Sequence, residues 1–119
     1  MAHSPAFLKL VDEAKRRIRE VPVEEVKQSR GALHLVDVRE DSEWNAGHAA
    51  GSVHLGKGII ERDIEGAIPD KGARIVLYCG GGFRSALAAD ALRQMGYTNV
   101  FSLAGGWRAW NAAGMPVEK

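Results

Sequence analysis

The sequence predicts an α/β protein with three layers, in which a central, mostly parallel sheet of about five strands has helices on both faces. Short apolar runs rich in β-branched residues, clearest at 33–38 and 73–78, alternate with segments of helical character. Strands that are apolar throughout are typical of parallel sheets, because helices cover both of their faces. A chain of 119 residues can build one core, so we expect a single domain over residues 1–119.

The first predicted element is an N-terminal helix over residues 4–18. Ser4 is a suitable N-cap and Pro5 suits the first helical position. Apolar side chains recur along this segment at helical spacing, at Phe7, Val11, Ala14 and Ile18. We therefore expect the helix to pack one apolar stripe against the rest of the domain.

Shorter elements fill the remainder of the chain. The pattern predicts strands at 18–21, 33–38, 51–55, 73–78 and 99–103. It predicts helices at 23–28, from 41, at 59–64, from 85 and at 107–113, and Gly96 is expected to follow the end of the helix that begins at 85. Trp44 is expected to pack into the core.

The only cysteine of the chain, Cys79, stands directly after the strand at 73–78 and before a glycine-rich turn. The turn and the start of the following helix comprise Gly80, Gly81, Gly82, Phe83, Arg84 and Ser85. Three glycines can adopt positive φ and direct several N–H groups inward, and a helix N-terminus adds further free N–H groups. A cysteine in such an anion-binding turn favours the nucleophilic thiolate. The alternative is a small buried cysteine beside a plain turn.

This loop, with sequence CGGGFR at residues 79–84, resembles the active-site loop of the rhodanese (sulfurtransferase) family. Three further segments resemble motifs of that family in the same order. They are LVDVRE at 35–40, EWNAGHAAGS at 43–52 and GGWRAW at 105–110. Together the matches span about residues 21–116. The resemblance implies a rhodanese-like fold, with Cys79 as the catalytic nucleophile and residues 80–85 as the substrate-binding loop.

The resemblance also implies supporting roles for Asp37, Arg39 and His48. Asp37 and Arg39 follow a parallel strand, at the sheet edge where ligands bind, and would support the active-site loop. An ordinary surface ion pair is an equally good interpretation of the two. His48 could be a general base for the cysteine, but the resemblance favours a buried histidine that holds a loop through hydrogen bonds.

Composition and charge argue against several other classes of protein. The net charge is +1 with acidic and basic residues interspersed, so we expect no nucleic-acid partner and no membrane-surface binding. We expect no signal peptide and no membrane span, because no apolar run reaches membrane-spanning length, and we expect a cytoplasmic location. The histidines show no spacing typical of metal ligands, so no metal and no cofactor are expected.

Two other enzyme classes use a comparable loop. Nucleotide-binding loops need a Gly-Lys-Ser/Thr sequence or an acidic residue after the next strand, and neither is present. Cysteine-dependent phosphatases and arsenate reductases resemble C-x5-R, whereas Arg84 comes only five positions after Cys79. A non-catalytic rhodanese-like regulatory module or a persulfide carrier is the main alternative from another class.

The predicted function is therefore sulfur transfer through a Cys79 persulfide. The donor would be a small anion such as thiosulfate, and the acceptor would be cyanide or a thiol, with a protein acceptor also open. Arg84 is expected to attract the donor and to help hold the persulfide. Phe83 is expected to shape the mouth of the pocket. Because no second cysteine is present, an outside acceptor must remove the sulfur.

Overall fold

The structure, a computed structural model, describes residues 3–119 of the chain. Its α-helices are α1 (Pro5–Arg17), α2 (Val23–Gln28), α3 (Asp41–Ala46), α4 (Ile60–Ala67), α5 (Phe83–Gln94) and α6 (Gly106–Ala112). Its strands are β1 (Arg19–Val21), β2 (His34–Asp37), β3 (His48–Ala49), β4 (Val53–His54), β5 (Ile75–Tyr78), β6 (Val100–Leu103) and β7 (Val117–Glu118). No helix among these is long and apolar enough to cross a membrane.

Five strands form one parallel sheet in the order β1-β6-β5-β2-β4. Strand β5 lies at the centre, with Leu77 opposite Val36 of β2 and Ser102 of β6. The predicted α/β class with a parallel sheet of about five strands is confirmed. All five strands place their carboxyl ends at one edge, which is where ligand sites of such sheets lie.

The core has two halves, one on each face of the sheet, because side chains of a strand point alternately to opposite faces. On β5, Ile75 and Leu77 pack in one cluster with residues of α4 and α5. Val76 and Tyr78 pack in the other cluster, which includes Val26 of α2 and residues of α6. The predicted arrangement of helices on both faces is therefore confirmed.

Helix α1 begins as the sequence predicts. The side chain of Ser4 accepts a hydrogen bond from the backbone N–H of Phe7 at 3.2 Å, and Pro5 occupies the first turn. Val11 and Ala14 are buried. The helix packs on α5, and the Arg17 guanidinium donates two hydrogen bonds, of 3.0 and 2.9 Å, to the Asp90 carboxylate.

Some features of the fold differ from the sequence prediction. A second, antiparallel ribbon joins β3 to β7, with His48 opposite Glu118; strands of two residues are too short to show a hydrophobic period. Trp44 is half-buried rather than in the core. Its ring stacks on His48 and His54, with centroids 3.4 and 4.9 Å away. An aromatic side chain can bury its apolar surface by stacking on other rings as well as by packing in the core. The sequence pattern does not distinguish these two arrangements.

Candidate active site

Cys79 lies immediately after β5 at the carboxyl edge of the sheet, with 1% of its surface exposed. Its sulfur is surrounded by hydrogen-bond donors. The backbone N–H of Gly82 donates to Sγ at 3.2 Å and that of Ser85 at 3.4 Å, while the Ser85 hydroxyl lies 3.5 Å away. The sulfur is therefore held in a cradle formed by the loop and the first turn of α5.

The cradle favours the thiolate. Burial raises the pKa of the Cys79 thiol. Hydrogen bonds from the Ser85 hydroxyl and from the N–H groups of Ser85, Gly82 and Gly81 lower it, and together they outweigh the effect of burial. The net result is a pKa below the ordinary cysteine value. Hydrogen bonds to the charged form stabilise that form, so Cys79 is a thiolate over a wider pH range than a free cysteine.

The three glycines of the loop have different roles. Only Gly82 has positive φ, at 101°, and it is the N-cap of α5, which begins at Phe83 rather than at Ser85. Of the three glycines that could adopt positive φ, Gly80 and Gly81 do not use it. Gly80 instead lies close to Arg84, and a Cβ there would make a tight contact of 3.2 Å with Nη2. One left-handed residue is enough to turn the chain from the strand into the helix.

The start of helix α6 holds the other side of the loop. The backbone N–H of Trp107 donates to the carbonyl oxygen of Cys79 at 2.7 Å, and that of Arg108 donates to the carbonyl oxygen of Gly80 at 3.2 Å. Gly106 makes this contact feasible, because a Cβ at that position would overlap the Cys79 carbonyl group. With its carbonyl oxygens directed to α6, the loop directs N–H groups toward the sulfur.

Arg84 forms a two-pronged ion pair with Glu43 of α3. Nη1 donates to Oε1 at 2.7 Å and Nη2 donates to Oε2 at 3.1 Å. The Arg84 guanidinium is the main cause of the lowered pKa of Glu43. The pKa of Arg84 is raised, first by its hydrogen bonds to Glu43 and further by the neighbouring Cys79. Arg84 thus lies beside the sulfur with its positive charge already partnered.

Asp37 and Arg39 form a buried ion pair, with exposed fractions of 0% and 3%. Arg39 Nη2 donates to Asp37 Oδ2 at 2.8 Å and also to the carbonyl oxygen of Gly47 at 2.7 Å. The interpretation as a surface ion pair is therefore wrong. The guanidinium also lies over the Trp107 ring, 4.5 Å from its centroid, and so links the end of β2 to α6.

His48 contacts the backbone of α3 and a side chain of β7. Its Nδ1 lies 3.0 Å from the carbonyl oxygen of Trp44 and donates to it in the tautomer that carries the hydrogen on Nδ1. Its Nε2 lies 3.5 Å from a carboxylate oxygen of Glu118. With 6% of its surface exposed, His48 connects α3 to the β3–β7 ribbon. This placement suits a role in holding a loop better than a role as a base for Cys79.

A cavity of about 230 Å³ opens beside the sulfur. It is lined by His3, Phe7, Cys79, Gly80, Gly81, Phe83, Arg84 and Arg108. Phe83 stands in its wall, 6.3 Å from Phe7 and 5.0 Å from His3 between ring centroids. Within residues 3–119, no three histidine, cysteine, aspartate or glutamate side chains converge to hold a metal ion. The cavity therefore offers a thiolate, backbone donors, guanidinium groups and aromatic rings.

The sequence model described as "Rhodanese-like domain" matches residues 22–113. The chain belongs to the rhodanese-like domain family. The rhodanese-like region thus begins after α1 and contains the whole Cys79 loop, α6 and the Asp37–Arg39 pair.

Relatives of this rhodanese-like chain include two named thiosulfate sulfurtransferases. GlpE of Vibrio cholerae is 33% identical over 85 residues, which are 71% of this chain and 78% of GlpE. PspE of Escherichia coli is 32% identical over 74 residues, which are 62% of this chain and 71% of PspE.

Two solved structures agree with this chain in fold. A Rhodopseudomonas palustris protein, described as having unknown function and as a possible tyrosine phosphatase, superposes with a TM-score of 0.87 at 28% identity, and the match covers 99% of this chain and 98% of that one. A rhodanese from E. coli, solved with anions, has a TM-score of 0.66 at 33% identity, over 74% of this chain and 99% of that one.

Sequence reasoning did not identify several residues around the rhodanese-like site. Ser102 of β6, whose Oγ lies 2.7 Å from that of Ser85, is a fully buried serine in an otherwise apolar strand. Glu43, His3, Phe7 and Arg108 lie far from Cys79 in sequence. Two features of the sequence could have pointed to such residues. Ser102 is a polar residue within an apolar strand, and Arg108 lies between the two tryptophans of the GGWRAW segment.

Proposed function

We propose that this protein is a sulfurtransferase that carries sulfane sulfur on Cys79 as a persulfide. The observation on which the proposal rests is the cradle around Sγ, in which two backbone N–H groups and one hydroxyl face a sulfur whose pKa is lowered. A terminal persulfide sulfur is also an anion, and the same loop can stabilise it. In comparable anion-binding sites one such donor contributes about 3 kcal/mol to the transition state.

In the first half-reaction the Cys79 thiolate attacks the outer sulfur of thiosulfate. A bond forms between Sγ and that sulfur, the S–S bond of thiosulfate breaks, and sulfite leaves with the electron pair. The total charge is unchanged, since a thiolate and a dianion become a persulfide anion and a sulfite dianion. No proton is needed at this step, which agrees with a site where N–H groups rather than a general base surround the sulfur.

In the second half-reaction an acceptor attacks the terminal sulfur of the persulfide. Cyanide would form thiocyanate, and a thiolate would form a new persulfide; in both reactions the Cys79 thiolate is the leaving group. The acceptor comes from outside because the chain has a single cysteine. We expect ping-pong kinetics, in which donor and acceptor use the same cavity in turn.

In this proposal the buried polar residues support the loop. Asp37 and Arg39 hold the end of β2 against Gly47 and Trp107, and His48 holds the start of the β3–β7 ribbon. A buried ion pair with several hydrogen bonds fixes geometry, because either partner alone would be an unpaired buried charge.

The contacts of Arg84 favour sulfur transfer over phosphate chemistry. A phosphatase loop needs its arginine to hold the phosphate group, whereas both prongs of the Arg84 fork are bonded to Glu43. The loop also has one residue fewer between cysteine and arginine than the C-x5-R pattern. A regulatory module without chemistry remains the second candidate, but it would have no use for a cysteine of lowered pKa.

The test is intact mass spectrometry of the protein after incubation with thiosulfate, and again after cyanide. The expected result is a gain of one sulfur atom, then its loss with release of thiocyanate. Cys79→Ser should show neither change while its circular dichroism stays that of the wild type. An unmodified wild-type protein, whose Cys79 still reacts with iodoacetamide, would contradict the proposal and favour the regulatory module.

A further inference from the structure

The charges around the cavity are not equally available to a ligand. The positive charge of Arg84 is partnered by Glu43 at 2.7 Å. Lys15, whose Nζ lies 5.1 Å from the centroid of the Phe83 ring, is partnered by Glu20 at 3.7 Å. Arg108 also lines the cavity, and the ion pairs formed among residues 3–119 do not include it.

The backbone of Arg108 is held at the loop. Its N–H donates to the carbonyl oxygen of Gly80 at 3.2 Å, so the residue is anchored one position away from Cys79. Its side chain is exposed and extends along the loop, and a Cβ placed on Gly81 would lie 4.0 Å from Nη1. Because Gly81 has no side chain, the Arg108 guanidinium borders the cavity without obstruction.

This arrangement matters for an anionic donor. Thiosulfate is a dianion and must approach a thiolate, so the two repel each other. The Arg84–Glu43 pair has no net charge with which to offset that repulsion. Arg108 adds a full positive charge at the entrance, and guanidinium groups bind oxyanions through two parallel hydrogen bonds.

We propose that Arg108 is the residue that binds the oxyanion group of the sulfur donor. Arg84, to which the sequence alone assigns that role, instead lies with Glu43 beside the sulfur as a positioning pair. The choice of thiosulfate-like substrate rests on the proposed function. An exposed arginine at the mouth of the cavity suits both the binding of the donor and the departure of the product. It can attract the thiosulfate dianion, and sulfite can then leave directly to solvent.

The first experiment measures steady-state kinetics with thiosulfate varied, for the wild type, Arg108→Gln, Arg108→Lys and Arg16→Gln. In a ping-pong scheme kcat/KM for the donor reports the donor half-reaction alone. For Arg108→Gln we expect kcat/KM for thiosulfate to fall about tenfold or more through KM. We expect Arg108→Lys to restore part of the loss, and kcat/KM for dithiothreitol as acceptor to change by no more than about twofold.

Arg16→Gln is the matched control. Arg16 is exposed like Arg108, and its substitution by glutamine removes the same charge. Arg16 lines a separate surface groove with Leu8 and Asp12. Its kcat/KM for thiosulfate should stay near the wild-type value. Added salt should lower wild-type kcat/KM for thiosulfate more steeply than that of Arg108→Gln. A change below about twofold in Arg108→Gln, or an equal loss in Arg16→Gln, would overturn the assignment.

A binding measurement separates this inference from the proposed function. Cys79→Ser, which cannot accept sulfur, is titrated with thiosulfate by calorimetry, with and without Arg108→Gln. Weaker binding upon loss of Arg108 supports the assignment even if the wild type shows no turnover, in which case only the sulfurtransferase proposal fails. Turnover that is insensitive to Arg108 overturns the Arg108 assignment and leaves sulfur transfer intact. Absence of both binding and turnover overturns both.

Discussion

At the scale of single residues, the environment of the sulfur depends on two buried hydroxyl groups. Ser85 and Ser102 are both fully buried, and their Oγ atoms lie 2.7 Å apart. A hydroxyl has one hydrogen to donate. A thiolate can only accept, so Ser85 directs its one hydrogen to Sγ of Cys79, 3.5 Å away, and Ser102 is the donor to Ser85. Ser102 therefore acts on the thiolate through Ser85.

We predict that Ser85→Ala raises the pKa of Cys79 toward the ordinary cysteine value. The variant removes the side-chain hydrogen bond that lowers this pKa most, while burial continues to raise it. The measurement is the rate of alkylation by iodoacetamide as a function of pH, whose midpoint should move to higher pH. Ser102→Ala should move it in the same direction by less, and Ser42→Ala, at an exposed position, should leave it unchanged. An unshifted midpoint in Ser85→Ala would show that the backbone donors suffice.

At the scale of elements, the site depends on the contact between the Cys79 loop and helix α6. The N–H groups at the start of α6 bond to the carbonyl oxygens of Cys79 and Gly80. Gly106 combines positive φ, at 52°, with an approach in which a Cβ would lie 3.1 Å from the carbonyl carbon of Cys79. This contact explains in physical terms why the GGW segment contains glycine next to tryptophan.

We predict that Gly106→Ala lowers the free energy of unfolding by about 3 kcal/mol, from the cost of positive φ and from the overlap with the loop. Gly114→Ala is the matched control, because Gly114 has φ of 68° and no atom within 4 Å of the added Cβ. It should cost only about 1 kcal/mol. Urea unfolding measures both values. Equal losses in the two variants would mean that backbone strain alone, and not the contact with Cys79, requires Gly106.

At the scale of the whole molecule, the cavity beside Cys79 is shared between the rhodanese-like region and the N-terminal segment that includes helix α1. The family match begins at residue 22, yet His3 and Phe7 line the cavity beside Cys79. Helix α1 is attached to α5 by the Arg17–Asp90 ion pair and by its buried stripe. The N-terminal helix thus contributes to access to the sulfur as well as to packing.

We predict that Phe7→Ala opens the wall of the cavity. Its half-buried side chain contributes about 1 kcal/mol to stability, so the variant should fold. The rate of Cys79 modification by the bulky reagent N-ethylmaleimide should rise severalfold, while the rate with the smaller iodoacetamide changes little. Leu8→Ala, at a neighbouring position with 37% exposure, should change neither rate. A Phe7→Ala variant that keeps the wild-type ratio of the two rates would argue against a gating role for α1.

Several features of this protein could be predicted from its sequence because they depend on neighbours along the chain. Apolar runs indicated the parallel strands, Ser4 and Pro5 indicated the start of α1, and the glycine-rich turn after a strand placed Cys79 at a helix N-terminus. Hydrogen bonds and side-chain periods within a helix or a turn involve residues a few positions apart, so their pattern is visible in the sequence.

Only the tertiary structure decided which distant side chains meet at the sulfur. The strand order brings Ser102 beside Ser85, and packing brings Glu43 to Arg84 and places Phe7 and Arg108 at the cavity. It also decided that Gly82 alone of the three glycines has positive φ, and that Trp44 stacks on histidines outside the core. Ser85 and Ser102 are 17 positions apart and Glu43 and Arg84 are 41 apart, so the energies of these contacts at the sulfur depend on geometry that a local pattern does not encode.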